Sequence, residues 1–596
     1  MRRLTLMSVL CLAALLPGVA AGQERAASAQ RLSRSAGTRL PLAEEGALVQ
    51  VYTRQELLQL PARSLADALR LLRGVDVRRR GPEGMPAALS LAGAGPDGTL
   101  LVVDGEVMND PASGEFSADL DLSLDAVERV EIREGGASAV WGPGALGGVI
   151  SVMTRGALLG RANAQCETRY GHGSDSLDTG GYRGAMAITP RSGVALDYRR
   201  SESSGFAPGT ELSNDLLRLS SRVGTGALDA TLSTGYGGRS FGSPDGPRST
   251  RTRGARAAGN LSAGAWTLTS ALWLRDHHAD VGTSFTSSVG GLRVTARRPV
   301  LGGQLLAGME LLRESFSGPA VVSDRRDRHA MFGEYQRTFS SERAELGGAR
   351  LALRYDHDHP AGGGGGEPRS GSPSTSGGRL SPLAAVWAEP LAGLTLRASG
   401  GVSYRLPSFL ELQANPQLEA EKAAHLEASA TFAAGPLLMS GGITRRWGRD
   451  TIVLRPAALQ PAPVNLARAD VTALTGGMEL ASRRLSGTRL THLGFGVSYL
   501  LGDPAGPDPL RLKWDLVAGA VLPAGLTAFT RLGLLSYSER PGEALLWDVR
   551  LGRQLLEGEI LEVYAELQNA LDETHQERPG VPLPGRTLFA GLNLTW

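Results

Sequence analysis

Asp356, His357, Asp358 and His359 put two carboxylates and two imidazoles in succession, the side-chain types that hold a divalent cation. In an extended chain alternate side chains leave opposite faces, so only two of the four can converge on one ion. A polar strand end accounts for them as well. Arg78, Arg79 and Arg80 suit an anion, but arginine carries nearly all the positive charge here, the lysines being Lys422 and Lys513, so a solvated run fits equally. Cys166 has no partner if Cys11 leaves with a leader segment, which argues against disulfide or cysteine-metal chemistry. No nucleophile–base pair or paired carboxylates have spacing that supports a reaction. The expectation is therefore a non-enzyme with no catalytic residues, no metal and no cofactor.

The elements that must position these residues begin after an export signal. Arg2 and Arg3, the apolar stretch from Leu4 to Leu16 and the small residues from Val19 to Gly22 read as a secretory signal peptide over residues 1–22. That apolar stretch is too short to span a bilayer as a helix. The chain has 62 Lys and Arg against 60 Asp and Glu, and loss of Arg2 and Arg3 leaves 60 against 60. Such a balance gives no field for nucleic acid. Residues 23–47, rich in Ala, Ser, Arg and Gln, read as a flexible arm.

Residues 48–155 have the texture of a compact α+β unit. Thr53 and Glu56 form a capping-box pattern ahead of Leu57, Leu58 and Leu60. Ser64 caps a second helix whose Leu65, Ala68, Leu69 and Leu72 share one face, with Gly74 at its stop. Short strands follow at Ala88 to Leu91, Thr99 to Asp104 and Val127 to Arg133.

From residue 156 to 596 the period changes to two. Leu394, Leu396, Ala398, Val402 and Tyr404 fall on one side of a strand, and Thr395, Arg397, Ser399, Ser403 and Arg405 on the other. Leu196 and Tyr198 alternate with Asp197 and Arg199, and Val563 and Ala565 with Glu562, Tyr564 and Glu566. Apolar groups on one face and charges on the other suit lipid outside and water inside. A soluble β-sandwich would alternate too, with shorter strands and more turns. The last strand carries Leu588, Ala590, Leu592, Leu594 and Trp596 on one face, and Gly362 to Gly378 reads as a surface loop.

The glycine-rich stretch from Val127 to Arg155, together with Thr99-Leu-Leu-Val-Val-Asp-Gly105 and the segment from Val49 to Arg73, resembles the plug of TonB-dependent outer-membrane receptors. Tyr404 to Leu412, Asn415 to Glu421 with Glu427, Leu567 to Asp572 and Pro584 to Thr587 resemble the barrel of the same family. In size and layout the chain is similar to its cobalamin receptors. The resemblance implies a membrane all-β fold, a 22-stranded antiparallel barrel with the α+β plug in its lumen. It implies import of a scarce, large ligand, a cobalamin-like corrinoid or a ferric siderophore, driven by the TonB/ExbB/ExbD complex. Outer-membrane lipid and the barrel assembly machinery, which reads the terminal strand, complete the expected partners. A plugged barrel that binds or signals without TonB coupling is the alternative.

By position in such a family, ligand contacts are expected from the apical plug loops at Arg78, Arg79, Arg80, Glu83, Asn109, Asp110 and Phe116, and from Phe206, Tyr236 and Phe241 of the early barrel. Asp104, Arg133, Glu134, Glu421 and Glu427 are the expected plug–barrel contacts. Family plugs place arginines where this chain has Ala92 and Glu134, and pair them with the glutamates kept here as Glu421 and Glu427. The electrostatic latch is thus expected to be altered, and no clear TonB box stands before residue 48.

Overall fold

The computed structural model describes residues 47–79, 87–114, 122–156, 164–242, 246–318, 321–340, 345–361, 377–455, 462–485, 488–502, 504, 509–538, 542–556, 560–578, 581 and 583–596. The expected signal peptide, the arm up to residue 46 and the loop 362–376 lie outside them.

The plug starts as its polar signals dictate. Thr53 accepts from the Glu56 amide while the Glu56 carboxylate takes the Thr53 amide, and the helix Arg54–Gln59 follows. Ser64 caps Leu65–Leu71 by accepting from the Asp67 amide, and its hydroxyl donates to the Asp67 carboxylate. Beneath these helices lies a five-stranded sheet ordered Val49–Thr53, Val127–Glu134, Gly148–Thr154, Thr99–Val103 and Glu106–Val107. Leu57, Leu69, Leu72, Val130, Ile132, Ile150 and Val152 form the core between them. This unit buries its own apolar faces and needs none from the barrel to fold its centre.

Around the plug, 22 antiparallel strands from Ala164–Gly173 to Thr587–Thr595 close a barrel. Closure runs through the pairs Leu592 with Tyr170 and Asn593 with Arg169. Trp596 and Cys166 then exchange backbone hydrogen bonds of 2.7 and 2.9 Å. The side-chain alternation is laid out on two surfaces. Asp197, Arg199, Tyr564 and Glu566 are buried inside, whereas Leu196, Tyr198 and Val563 are exposed outside. Leu272, Leu274, Met331, Leu351, Val386, Leu426 and Leu588 extend the outer apolar surface around the wall. A continuous apolar surface of this extent is far beyond what a soluble monomer shows, and lipid is the solvent it fits.

One end of the barrel has two-residue turns at 190–191, 264–265, 301–302, 392–393 and 435–436. The other carries longer connections, among them 204–211, 406–420, 450–468 and 569–586. Short turns mark the periplasmic end and longer loops the extracellular one.

Tyr404 departs from the expected pattern. Strict alternation puts it on the lipid face, but Ser403, Tyr404 and Arg405 are all buried. Tyr404 lies beneath the Arg379 guanidinium, 5.6 Å from its ring centre, and its backbone bonds the plug at Ser138 and Gly144. The strand is paired to its upstream neighbour only as far as Gly401, which frees its last residues to turn inward. The Asp356 to His359 run keeps its alternation: both aspartates are buried inside, and His357 and His359 stack edge-on with ring centres 4.2 Å apart.

Candidate ligand face and plug latch

Two plug segments point at the extracellular end, and each is tied down by a different chemistry. In the first, Arg78 reaches back to Asp76 at 2.9 Å, and Arg79 grips Glu577 of the last extracellular connection at 2.8 and 2.9 Å. Both groups of that second pair are buried, so Arg79 fastens a loop to the plug. Burial opposes ionisation of Glu577, and the Arg79 charge more than offsets it, holding the carboxyl at about 2. Arg80, Glu83 and Phe116 lie outside the described residues.

In the second segment Asn109 is internal to the plug. Its side chain accepts from the Leu101 amide and donates to the Thr99 and Gly114 carbonyls. Asp110 accepts from barrel Ser287 at 2.5 Å. Next to it Ala112 packs on Phe316 and Phe409, whose rings stack at 5.8 Å, and Phe285 continues the row at 5.8 Å from Phe316. These aromatics come from separate inward-facing positions, and sequence reasoning missed them.

Of the early barrel residues, Phe206 sits half-buried in the connection after Ser192–Ser203. Phe241 ends Leu228–Phe241, half-buried and opposite buried Leu212. Tyr236 is a correction. It pairs with exposed Leu217, and directly opposed strand residues share a face, so it stands on the outer wall and cannot reach the lumen.

The latch between plug and barrel carries ion pairs of both signs: plug Arg54, Arg63 and Arg79 hold barrel Glu167, Glu566 and Glu577 at 2.9, 3.2 and 2.8 Å, and other pairs are reversed. Barrel arginines reach into plug acids and carbonyls: Arg405 to Asp97 at 2.9 Å, Arg218 to Asp104 at 3.3 Å, Arg275 to Glu106 at 3.1 Å and Arg169 to Asp125 at 2.8 Å. At Ala92, where the resemblance expects a plug arginine, barrel Arg446 donates to the Ala92 and Gly93 carbonyls at 3.3 and 2.9 Å. Glu421 therefore takes its arginine from the barrel itself, Arg405 at 3.3 Å. Lys513 places its ammonium on three carbonyls at once, those of Arg70, Leu72 and Val75, at 2.7, 2.7 and 3.0 Å.

Glu134 and Glu427 form the other half. Arg133 turns to the Gly136 carbonyl at 3.1 Å. Glu134 accepts from Gln50 at 3.3 Å, and Glu427 from Ser399 at 2.9 Å. Burial, reinforced by the Glu427 charge and opposed by Arg73, raises the Glu134 carboxyl to about 7. Two cavities of about 20 Å³ each touch it, one toward Leu48 and Glu427 and one toward Asp76 and Ala92, each large enough for a single water. The backbone passes so close that a β-carbon on Gly135, at φ +90°, would lie 1.9 Å from Glu427 Oε1.

Residues 41–149 match the TonB-dependent Receptor Plug Domain family, and residues 154–596 the TonB dependent receptor-like, beta-barrel family. The chain belongs to the TonB-dependent receptor family. It is accordingly an outer-membrane protein, and its apolar outer wall meets that membrane.

This receptor is 28% identical over 160 residues to the vitamin B12 transporter BtuB of Vibrio vulnificus strain YJ016, covering 27% of this chain and 25% of that protein. To BtuB of Vibrio cholerae serotype O1 strain M66-2 it is 31% identical over 148 residues, 25% of this chain and 22% of that one. It thus spans about a quarter of the length of the curated relatives it matches. The fold is shared with the siderophore receptor PirA of Pseudomonas aeruginosa, at a TM-score of 0.71 and 16% identity, covering 92% of this chain and 99% of that one. It is shared also with the FrpB iron transporter of Neisseria meningitidis, F5-1 variant, at 0.76 and 15%, covering 92% and 100%.

Proposed function

We propose that this receptor imports a cobalamin-like corrinoid or a ferric siderophore across the outer membrane, driven by the TonB/ExbB/ExbD complex after export through its signal peptide and barrel assembly. The observation that carries this reading is the chemistry of the latch. The plug keeps a large hydrophobic core of its own, while its contacts with the barrel are mainly guanidinium, ammonium and carboxylate hydrogen bonds, with apolar contact confined to small patches at Ala92, Ala94, Ala112 and Ala139. Water can replace such bonds when the plug moves, whereas an apolar interface would expose its core.

The path of force supports the same reading. A pull on the chain before residue 47 loads Val49–Thr53 first, because that strand is the edge of the plug sheet. Its partner is Val127–Glu134, so the load arrives beside Glu134 and its bond from Gln50. The ligand face would be the extracellular mouth over the buried floor formed by Asp110, Ala112, Phe316 and Phe409, with Phe206 and Phe241 on its early-barrel side. No covalent step is needed.

Uptake of radiolabelled cobalamin and of ferric siderophores in a host lacking its own receptors, with and without TonB, tests the proposal. TonB-dependent accumulation of one of them is expected. Binding without accumulation would instead favour a receptor that has lost coupling.

A further inference from the structure

Three of the chain's nine histidines gather on the outer wall, where the strands Val321–Ser340 and Glu345–Ala361 run side by side. His329 stands directly opposite His357, and His359, two residues further along, stands opposite Asp327. Opposed strand residues share a face with β-carbons about 4.5–5.5 Å apart, and residues i and i+2 lie about 7 Å apart, so the three imidazoles are within reach of one another. Ring centres are 4.2 Å apart for His357 and His359 and 5.8 Å apart for His329 and His359. The run from Asp356 to His359 supplies only its two outward imidazoles, as alternation requires, and the neighbouring strand brings the third. The group lies toward the extracellular end, above the outward pair Met331 and Tyr355 and beside Leu311, with Tyr355 stacked on His357 at 6.5 Å. It faces away from the lumen, the plug and any cargo.

None of the three imidazoles has a hydrogen bond or ion pair among the described residues, and His357 Nδ1 is shut off from solvent without a partner. A buried polar nitrogen left so is unfavourable, and a ligand that takes it up removes the cost. As the side chains stand, the ring nitrogens do not surround one point, so a shared ligand requires His329 and His359 to turn about their side-chain bonds. Both are exposed and have no hydrogen bond to break in turning. Asp327 is not free to join them, because it already holds Arg313 and Arg325, each at 2.8 Å. The donor set is therefore nitrogen alone, which suits zinc, copper or nickel and does not suit the oxygen-seeking calcium and magnesium ions. We propose that His329, His357 and His359 form an outer-wall site for one late first-row divalent metal ion, with the fourth position open to water or to a donor from outside. Bound there, the ion would staple the two strands together at the level of the rim.

Full-length protein made without a histidine tag, stripped with a chelator and held in detergent, is titrated with zinc against a chromophoric chelator, then challenged with calcium and magnesium. One zinc ion per chain is expected, displaced by neither. His329→Ala and His357→Ala should each weaken zinc binding by on the order of tenfold or more. His278→Ala, at an exposed outer-wall histidine that bonds Thr286, should leave it unchanged. Cobalt in place of zinc should show the visible bands of a four-coordinate ion and lose them in His359→Ala. Heat-modifiable mobility on gels, which a folded barrel keeps, separates loss of a ligand from misfolding in each variant. No bound zinc in the wild-type protein, unchanged affinity in the folded His329→Ala and His357→Ala variants, or displacement of zinc by calcium would each overturn the proposal.

Discussion

Arg405 Nη1 lies 2.9 Å from Asp97 Oδ2 across the plug–barrel boundary, and the same guanidinium holds barrel Glu411 at 2.9 Å and Glu421 at 3.3 Å. One cation thus neutralises three acids, of which only Asp97 moves with the plug. Arg405→Ala leaves the three carboxylates facing one another, a loss of about 3–5 kcal/mol of docking. Asp97→Asn should cost less, because the guanidinium keeps its two barrel partners. In planar bilayers the urea concentration that opens ion conductance should fall clearly for Arg405→Ala and slightly for Asp97→Asn. An unchanged urea threshold for Arg405→Ala would remove this pair from the latch.

The Glu134 carboxyl, raised from 4.5 to about 7, holds its proton more tightly in the docked plug than in an unfolded chain. Its contribution is therefore complete below about pH 4.5 and is lost as pH rises through 7. Glu134→Gln should flatten that dependence and strengthen docking at pH 8 by on the order of 1–3 kcal/mol. Hydrogen exchange of peptides covering 127–154, followed from pH 5 to 8, reads the effect. Equal pH dependence in wild type and variant would show that Glu134 does not control it.

Gly135 has no room for a side chain, with Glu427 Oε1 only 1.9 Å from where a β-carbon would be. Gly135→Ala should displace the segment between Glu134 and Ser138 and lower the urea threshold for conductance. Adding Glu427→Ala removes the clash and should restore most of the loss, leaving about 1 kcal/mol of strain from the positive φ. A double variant as weak as the single one would mean that the clash is not the cause.

Lys513 is matched to its site by donor number, since three ammonium hydrogens meet three carbonyls at the end of the helix Leu65–Leu71. Lys513→Met leaves those carbonyls without their cation and should cost about 2–4 kcal/mol of local stability. Lys513→Arg should rescue only in part, because a planar fork cannot reproduce the three directions. Exchange rates of peptides covering 65–77 decide, and wild-type protection in the Met variant would contradict the assignment.

The sequence by itself determined the elements that rest on local signals. The plug helices Arg54–Gln59 and Leu65–Leu71 follow from the Thr53–Glu56 and Ser64 caps, because a cap satisfies amides within one turn. The barrel wall follows from alternation, because each strand must give one face to lipid and one to the lumen, as at Leu196 to Arg199. A single lysine facing inward in a chain otherwise charged by arginine was a signal that could have pointed to Lys513. What only the tertiary structure decided is which groups meet across the lumen. Arg405 and Asp97, Arg446 and Gly93, and Arg79 and Glu577 are hundreds of residues apart, and no spacing rule links them. Periodicity says that a charge faces inward; only the register of the closed barrel and the seating of the plug fix the partner it meets there.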